Sequence, residues 1–168
     1  MDGVRHRPED IKVYQGTDGV RSFFDDVYHT SLKGAEVVQV WPSTPHFHKV
    51  IGAYLEEHVA RMVRSKDRVK VKAIVTEDPN VTFLPYCTYR FLSRHYVDSV
   101  PFYVYGDKYA IVAFAENTDP KIIVIQSKAA SEAFRLQFQS MWDKATPLNP
   151  TGQTAQIENF PEKKTARR

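Results

Sequence analysis

The sequence is poor in most features that announce a chemistry. It holds a single cysteine, Cys87, among 168 residues, so no disulfide can form within the chain. A lone thiol between Tyr86 and Thr88 reads as a small buried hydrophobe rather than a nucleophile. No apolar run approaches the ~20 residues needed to span a bilayer. The first ten residues are polar and lack the apolar core of a signal peptide, which points to a cytoplasmic protein. Seven glycines make neither a G-x-G-x-x-G nor a G-x-x-x-x-G-K-[ST] phosphate loop, and Gly16 and Gly19 alone are too sparse to cradle a pyrophosphate. There is no G-x-S-x-G nucleophile elbow. The acidic neighbours Asp25 and Asp26, like Glu56 and Glu57, diverge by about 100° on a helix and so cannot converge on one atom. Both pairs read as solvated faces. These absences leave no cofactor to expect.

What is present fits one globular domain. Hydrophobic residues make up 42% and charged residues 26%, the ordinary range for a folded chain of this length. The formal charge is +3, and the stretch from Pro150 onward supplies +2 of it, with Lys163, Lys164, Arg167 and Arg168 against Glu158 and Glu162. A near-neutral body argues against a broad nucleic-acid-binding face. The histidines are the tempting exception. His46 and His48 would point the same way from an extended loop, as two zinc ligands do. No Cys or carboxylate completes the set, and His58 falls on a helix face with Tyr54, Leu55 and Val59, so no metal site is expected. Nine Tyr, ten Phe and two Trp are present. Those from Tyr86 to Tyr105, interleaved with Arg90, Arg94 and His95, read either as a stacking platform for a sugar or base or as core and dimer interface.

Periodicity places the elements. Ile11–Tyr14 is a short strand stopped by Gly16, and Thr17 or Asp18 offers a cap to a helix carrying Val20, Phe23, Phe24, Val27 and Leu32 on one face. Glu36–Trp41 is a β-branched strand. Pro42–Pro45 is a loop, and Phe47 to Val63 holds the three-and-four spacing of a long helix. Arg68–Thr76 alternates as a strand. Glu77–Asp98 is hard to read, with a short edge strand around Arg90–Leu92. Val100–Tyr105, Tyr109–Ala115 and Lys121–Gln126 are strands, the first two joined by a hairpin at Gly106-Asp107. Lys128–Lys144 is the last helix, and the polar stretch from residue 146 to residue 168 reads as a disordered basic tail. Early strands alternating with helices imply parallel pairing, and the later hairpins an antiparallel part. The expected fold is α/β, a mixed sheet flanked by helices on both faces.

The closing half, Val100-Pro-Phe-Tyr-Val-Tyr-Gly-Asp-Lys-Tyr-Ala-Ile-Val, then Lys121-Ile-Ile-Val-Ile-Gln, then a helix ending Phe138-Gln-Ser-Met-Trp142, resembles the end of a phospholipase-D-like half-domain. That family carries H-x-K-x-x-x-x-D. With its aspartate on Asp107, its histidine falls at Val100 and its lysine at Phe102. The nucleophilic imidazole and the phosphate-binding ammonium are both missing, which implies a catalytically dead version, not an enzyme. The opening Pro8-Glu-Asp-Ile-Lys-Val-Tyr-Gln-Gly16-Thr-Asp-Gly19-Val resembles the start of the effector domain of TrmB-like transcriptional regulators. Together the two stretches frame a domain over residues 8–145.

The resemblance implies a non-catalytic sensor and dimerisation domain. A small effector would sit where the dead active site lies, near Val100, Phe102 and Asp107, with Arg94 and His95 as polar contacts. It implies a homodimer, because the family's half-domains pair. It implies DNA binding only through a separate winged-helix module, for which the first seven residues leave no room. Two other readings stand beside it. One is a nucleic-acid-associated protein working through the basic tail and the stretch from Arg61 to Lys72. The other is a degenerate phosphodiesterase or nuclease using a shifted histidine such as His95, with Lys108 or Lys121.

Overall fold

The computed structural model describes residues 11–41, 45–76, 83–93, 95–96, 101–113 and 119–148, with backbone only at Trp41 and residues 45–51. Arg94, Val100, the whole stretch from Glu77 to Thr82 and the basic tail beyond Leu148 lie outside the described residues. In chain order come β1 (Ile11–Gln15), α1 (Gly16–Leu32), β2 (Glu36–Trp41), α2 (Pro45–Arg64), β3 (Lys70–Val75), β4 (Cys87–Phe91), β5 (Phe102–Tyr105), β6 (Lys108–Ala113), β7 (Lys121–Gln126), α3 (Lys128–Lys144) and β8 (Thr146–Leu148).

The eight strands form one open sheet in the order β1-β7-β6-β5-β2-β3-β4-β8. The β2–β3 and β3–β4 pairs are parallel, and the other pairs antiparallel. The α2 crossover between β2 and β3 and the two-residue turn at Gly106-Asp107 are as the sequence implies. Three placements differ from it. β1 does not pair with β2 but closes the far edge, antiparallel to β7 from Ile11↔Ile125 to Gln15↔Lys121. β4 is no edge strand, because it lies between β3 and β8. β8 continues the sheet just past the boundary drawn at residue 145, with Pro147 on an outer strand where its missing N–H costs no ladder bond.

Strand alternation sorts the side chains onto two faces. On one, Val37, Val71, Tyr103, Tyr105, Ala110, Val112, Ile122 and Val124 pack under α1, whose Val20, Phe23, Phe24 and Val27 are buried, and under Met62 of α2. On the other, Val38, Val40, Ile74, Val104 and Tyr109 pack against Phe138 and Trp142 of α3. Helices therefore cover both faces. α1 starts without a side-chain cap, since neither Thr17 nor Asp18 fills the role and Gln15 makes no capping bond. The Gly16 N–H instead reaches the Pro120 carbonyl at 3.2 Å. Gly19 has a packing reason: a Cβ there would come within 2.9 Å of the Tyr14 carbonyl carbon, where β1 turns into α1.

Candidate functional site

The chain builds outward from β2 to β3 and β4, then returns to the other side of β2 as β5. Where strand order reverses in an open α/β sheet, the crevice beyond the carboxyl ends of the parallel strands is the usual ligand position. Here that rim carries the ends of β2 and β3, Thr76, Leu92, Ser93 and the start of β5. Leu92 closes onto β3 through its N–H to the Val75 carbonyl, 3.0 Å. Pro101 is held by the Val112 N–H at 2.9 Å, which fixes Phe102 opposite Val40 and Ile111. The Phe102 ring lies 5.8 Å from that of Tyr109, which stacks flat on Phe134 at 3.6 Å.

Thr76 was not singled out by the sequence. It is fully buried, and its hydroxyl has no hydrogen-bond partner among the described residues. A buried hydroxyl left unpaired is costly, so such a group at a crevice is a candidate contact for a ligand or water. Nothing in a strand ending Ala-Ile-Val-Thr distinguishes it, because satisfaction depends on tertiary neighbours.

The sequence-predicted contacts do not all meet. Phe102 stands at the crevice end of β5. Asp107 lies in the turn at the other end, a strand length of about 13 Å away, so one small pocket does not take both. Asp107 is exposed, and its carbonyl accepts from the Ser127 N–H at 2.9 Å, tying the hairpin to the start of α3. His95 and Tyr96 are exposed in a turn closed by the Tyr96 N–H to the Ser93 carbonyl, 2.8 Å, with the two rings edge-on at 5.9 Å. Lys108 is not free to serve a phosphate. Its ammonium donates to both Asp26 oxygens, at 2.6 and 2.8 Å, and the buried Tyr105 hydroxyl donates to the same carboxylate at 3.0 Å.

Cys87 and His58 are silenced by burial, and Arg61 is paired. Cys87 lies among Tyr86, Tyr89 and Tyr103, and burial of its thiol pushes it up to about 12, far from a thiolate at neutral pH. His58 is buried between α1 and α2, 4.7 Å from the Phe24 ring. Burial first, then the Arg61 guanidinium, lowers its pKa to about 3. Arg61 pairs with Asp25 and lies 4.8 Å over the Tyr28 ring. Asp25 and Asp26 thus diverge as expected but are not merely solvated, since each takes its own cation. His46 and His48 stand within the helical span of α2, not on the extended loop that a two-histidine clamp needs. Among the described residues, no three His, Cys, Asp or Glu side chains converge to hold a metal ion, and no helix is long and apolar enough to cross a membrane.

No family model and no curated protein matches the sequence. Solved structures do match. The chain is similar to Nuc from Salmonella typhimurium, a phospholipase D family member, with a TM-score of 0.59 and 14% identity over 83% of this chain and 98% of that one. It is similar to NucT from Helicobacter pylori, with a TM-score of 0.53 and 11% identity over 82% and 98%. It is also similar to TrmBL2, an archaeal chromatin protein with a novel mode of DNA binding, with a TM-score of 0.55, 17% identity and coverage of 86% of this chain. The chain spans 57% of the TrmBL2 chain. The fold is phospholipase-D-like.

Proposed function

We propose that this phospholipase-D-like domain does no phosphodiester chemistry and serves as the sensor and dimerisation domain of a TrmB-like transcriptional regulator. The observation that carries the reading is the residue at the start of β5. Where the family pattern places a phosphate-binding lysine, Phe102 packs into the apolar layer beneath α3. The family histidine falls on Val100, two residues before it. With neither imidazole nor ammonium, these two positions lack the groups that would attack and hold a phosphate.

The bound molecule in this reading is a small effector at that rim, met by His95 and the Thr76 hydroxyl. Two copies pair as the half-domains of this fold do, and DNA is contacted by a separate winged-helix module. A thermal-shift screen against sugars, nucleotides and phosphorylated metabolites tests the reading, since a ligand that prefers the native state raises the melting temperature. A dose-dependent rise for one compound class, weakened by Thr76→Val, is expected. Turnover of bis(p-nitrophenyl) phosphate that disappears in His95→Ala would overturn it in favour of an active phosphodiesterase.

A further inference from the structure

Parallel strands flanked by helices normally carry apolar side chains on both faces. β3 departs from that rule although it lies inside the sheet. Its Val71, Ala73 and Val75 are buried on the α1 side. On the α3 side it presents Lys70 and Lys72 before Ile74 closes the core. The register sets Thr88 of β4 beside Lys72, and Arg90 beside Ile74, on the same face. α3 packs across β6, β2, β5 and β7. Its last turn reaches the β3–β4 side through Trp142. Arg90 lies 4.7 Å and Lys72 5.8 Å from the centre of the Trp142 ring, and Arg90 donates to the Trp142 carbonyl at 2.7 Å.

Lys70 and Thr88 are exposed, and the Lys72 side chain is 33% exposed. Glu36, opposite Lys70 in the register, pairs with Lys72 at 3.2 Å. Among the described residues, Lys70 has no ion-pair partner, nor do Arg68, which leads into the strand, and Lys144, which follows Trp142. Lys70, Lys72 and Arg90 stand on this face of β3 and β4, with Glu36 of β2 beside Lys70 in register.

We infer that the α3-side face of β3 and β4 is a sequence-independent docking surface for the phosphate backbone of a nucleic acid. The partner follows from the chemistry of the face. Lys70 and Lys72 stand about 7 Å apart along the strand, a row of cations rather than an enclosed cage for one small anion. The Thr88 hydroxyl adds a neutral donor of the kind that contacts phosphate oxygens. A lipid surface asks for exposed apolar residues beside the basic ones. Among the described residues, the exposed large apolar side chains, Ile11, Val13, Tyr96 and Leu136, lie elsewhere, on β1, in the turn before β5 and on α3. The inference is independent of the effector crevice, because it uses the β3–β4 face and not the rim.

The test is fluorescence anisotropy of the full chain with a labelled DNA duplex of arbitrary sequence. Binding with a Kd in the range of about 10⁻⁴–10⁻⁶ M that weakens steeply with salt is expected. Arg68→Glu together with Lys70→Glu should lower affinity at least about tenfold at ~50 mM salt and flatten the salt slope by about one for each phosphate left unneutralised. Lys70→Gln, which removes charge without reversing it, should give a smaller loss in the same direction. Lys12→Glu, a single charge reversal on β1, should leave binding within about twofold, since β1 neutralises no phosphate. Absence of binding at low salt overturns the inference. So does an equal loss in Lys12→Glu, or a loss confined to Lys163→Gln/Lys164→Gln/Arg167→Gln/Arg168→Gln, which would assign binding to the tail. Capture by phosphatidylserine vesicles, but not by DNA, with the same dependence on Lys70 would replace it with a membrane surface.

Discussion

The two faces of the sheet treat charge in opposite ways. On the side covered by α1 and α2, ionisable groups are closed into local sets: Asp25 with Arg61, Asp26 with Lys108 and Tyr105, and His58 held neutral against Phe24. On the α3 side, over β3 and β4, Lys70 and Lys72 stand at the register positions that would be core if a helix lay above them. Coverage decides whether a charge must find a partner inside the protein or is left for one outside. A cation under a helix without its carboxylate would be a buried, unpaired charge, whereas an exposed lysine loses little by standing alone.

If the covered face carries the fold, breaking it should cost far more than any change on the open one. Phe23 is the sharpest probe. It is fully buried, and its ring meets those of Tyr14, Phe24, Tyr103 and Tyr105 at 5.3–6.1 Å. Phe23→Ala removes the ring that all four neighbours share. It should destabilise the protein by about 3–5 kcal/mol in a denaturant melt, the range for emptying a packed aromatic site. A loss near 1 kcal/mol would mean that the α1 layer collapses to fill the space and is less fixed than its packing implies.

The next effect separates the faces by pH. The folded His58 has its pKa lowered to about 3, so the unfolded chain binds a proton that the native state refuses throughout the interval between about 3 and 6.5. Its contribution is fully present above pH 6.5 and is lost as the pH falls toward 3, by up to about 1.4 kcal/mol per unit. The groups that face it work together: the Arg61 Nη2, 3.3 Å from Nδ1, opposes a second cation, and Asp25 on α1 favours one less strongly. His58→Gln keeps an acceptor but cannot protonate. The difference in stability between wild type and variant should therefore shrink or reverse from pH 7 to pH 4, as urea melts at each pH would record. A difference independent of pH would place His58 in contact with solvent.

The same contrast explains what was legible in the sequence. α3 and β7 follow from periodicity to the residue, and β2 with them, because each is a run of one period bounded by glycine, proline or serine. β4 was harder. Cys-Thr-Tyr-Arg-Phe has one strongly polar position and follows two prolines, so it reads as an edge, although β8 closes over it. The Asp25 and Asp26 partners were invisible because Arg61 and Lys108 lie 36 and 82 residues away in sequence. Phe102 lies at the start of β5, on the rim where the strand order reverses. Asp107 lies in the turn at the other end of that strand, since a spacing that suits a motif also spans a whole strand and its turn. The near-neutral sum of charges concealed the open basic stretch, because a sum carries no position.

The smallest expected effect is the most discriminating. Arg68→Glu and Lys70→Glu alter exposed side chains with no ion-pair partner among the described residues, so each should change stability by less than about 0.5 kcal/mol. If a segment of the chain or a second copy covered the β3–β4 face in solution, a glutamate at position 70 would be forced beneath it. The cost would then rise to about 1–3 kcal/mol, the scale of burying a poorly compensated polar group. Melting both variants at two protein concentrations separates the cases. A small, concentration-independent shift leaves the face open for the nucleic-acid backbone that its charge fits. A large shift that grows with protein concentration means that a second copy covers the lysines, and a large shift independent of it that a segment of the same chain does; in the first case the difference between the two faces would exist only in the monomer.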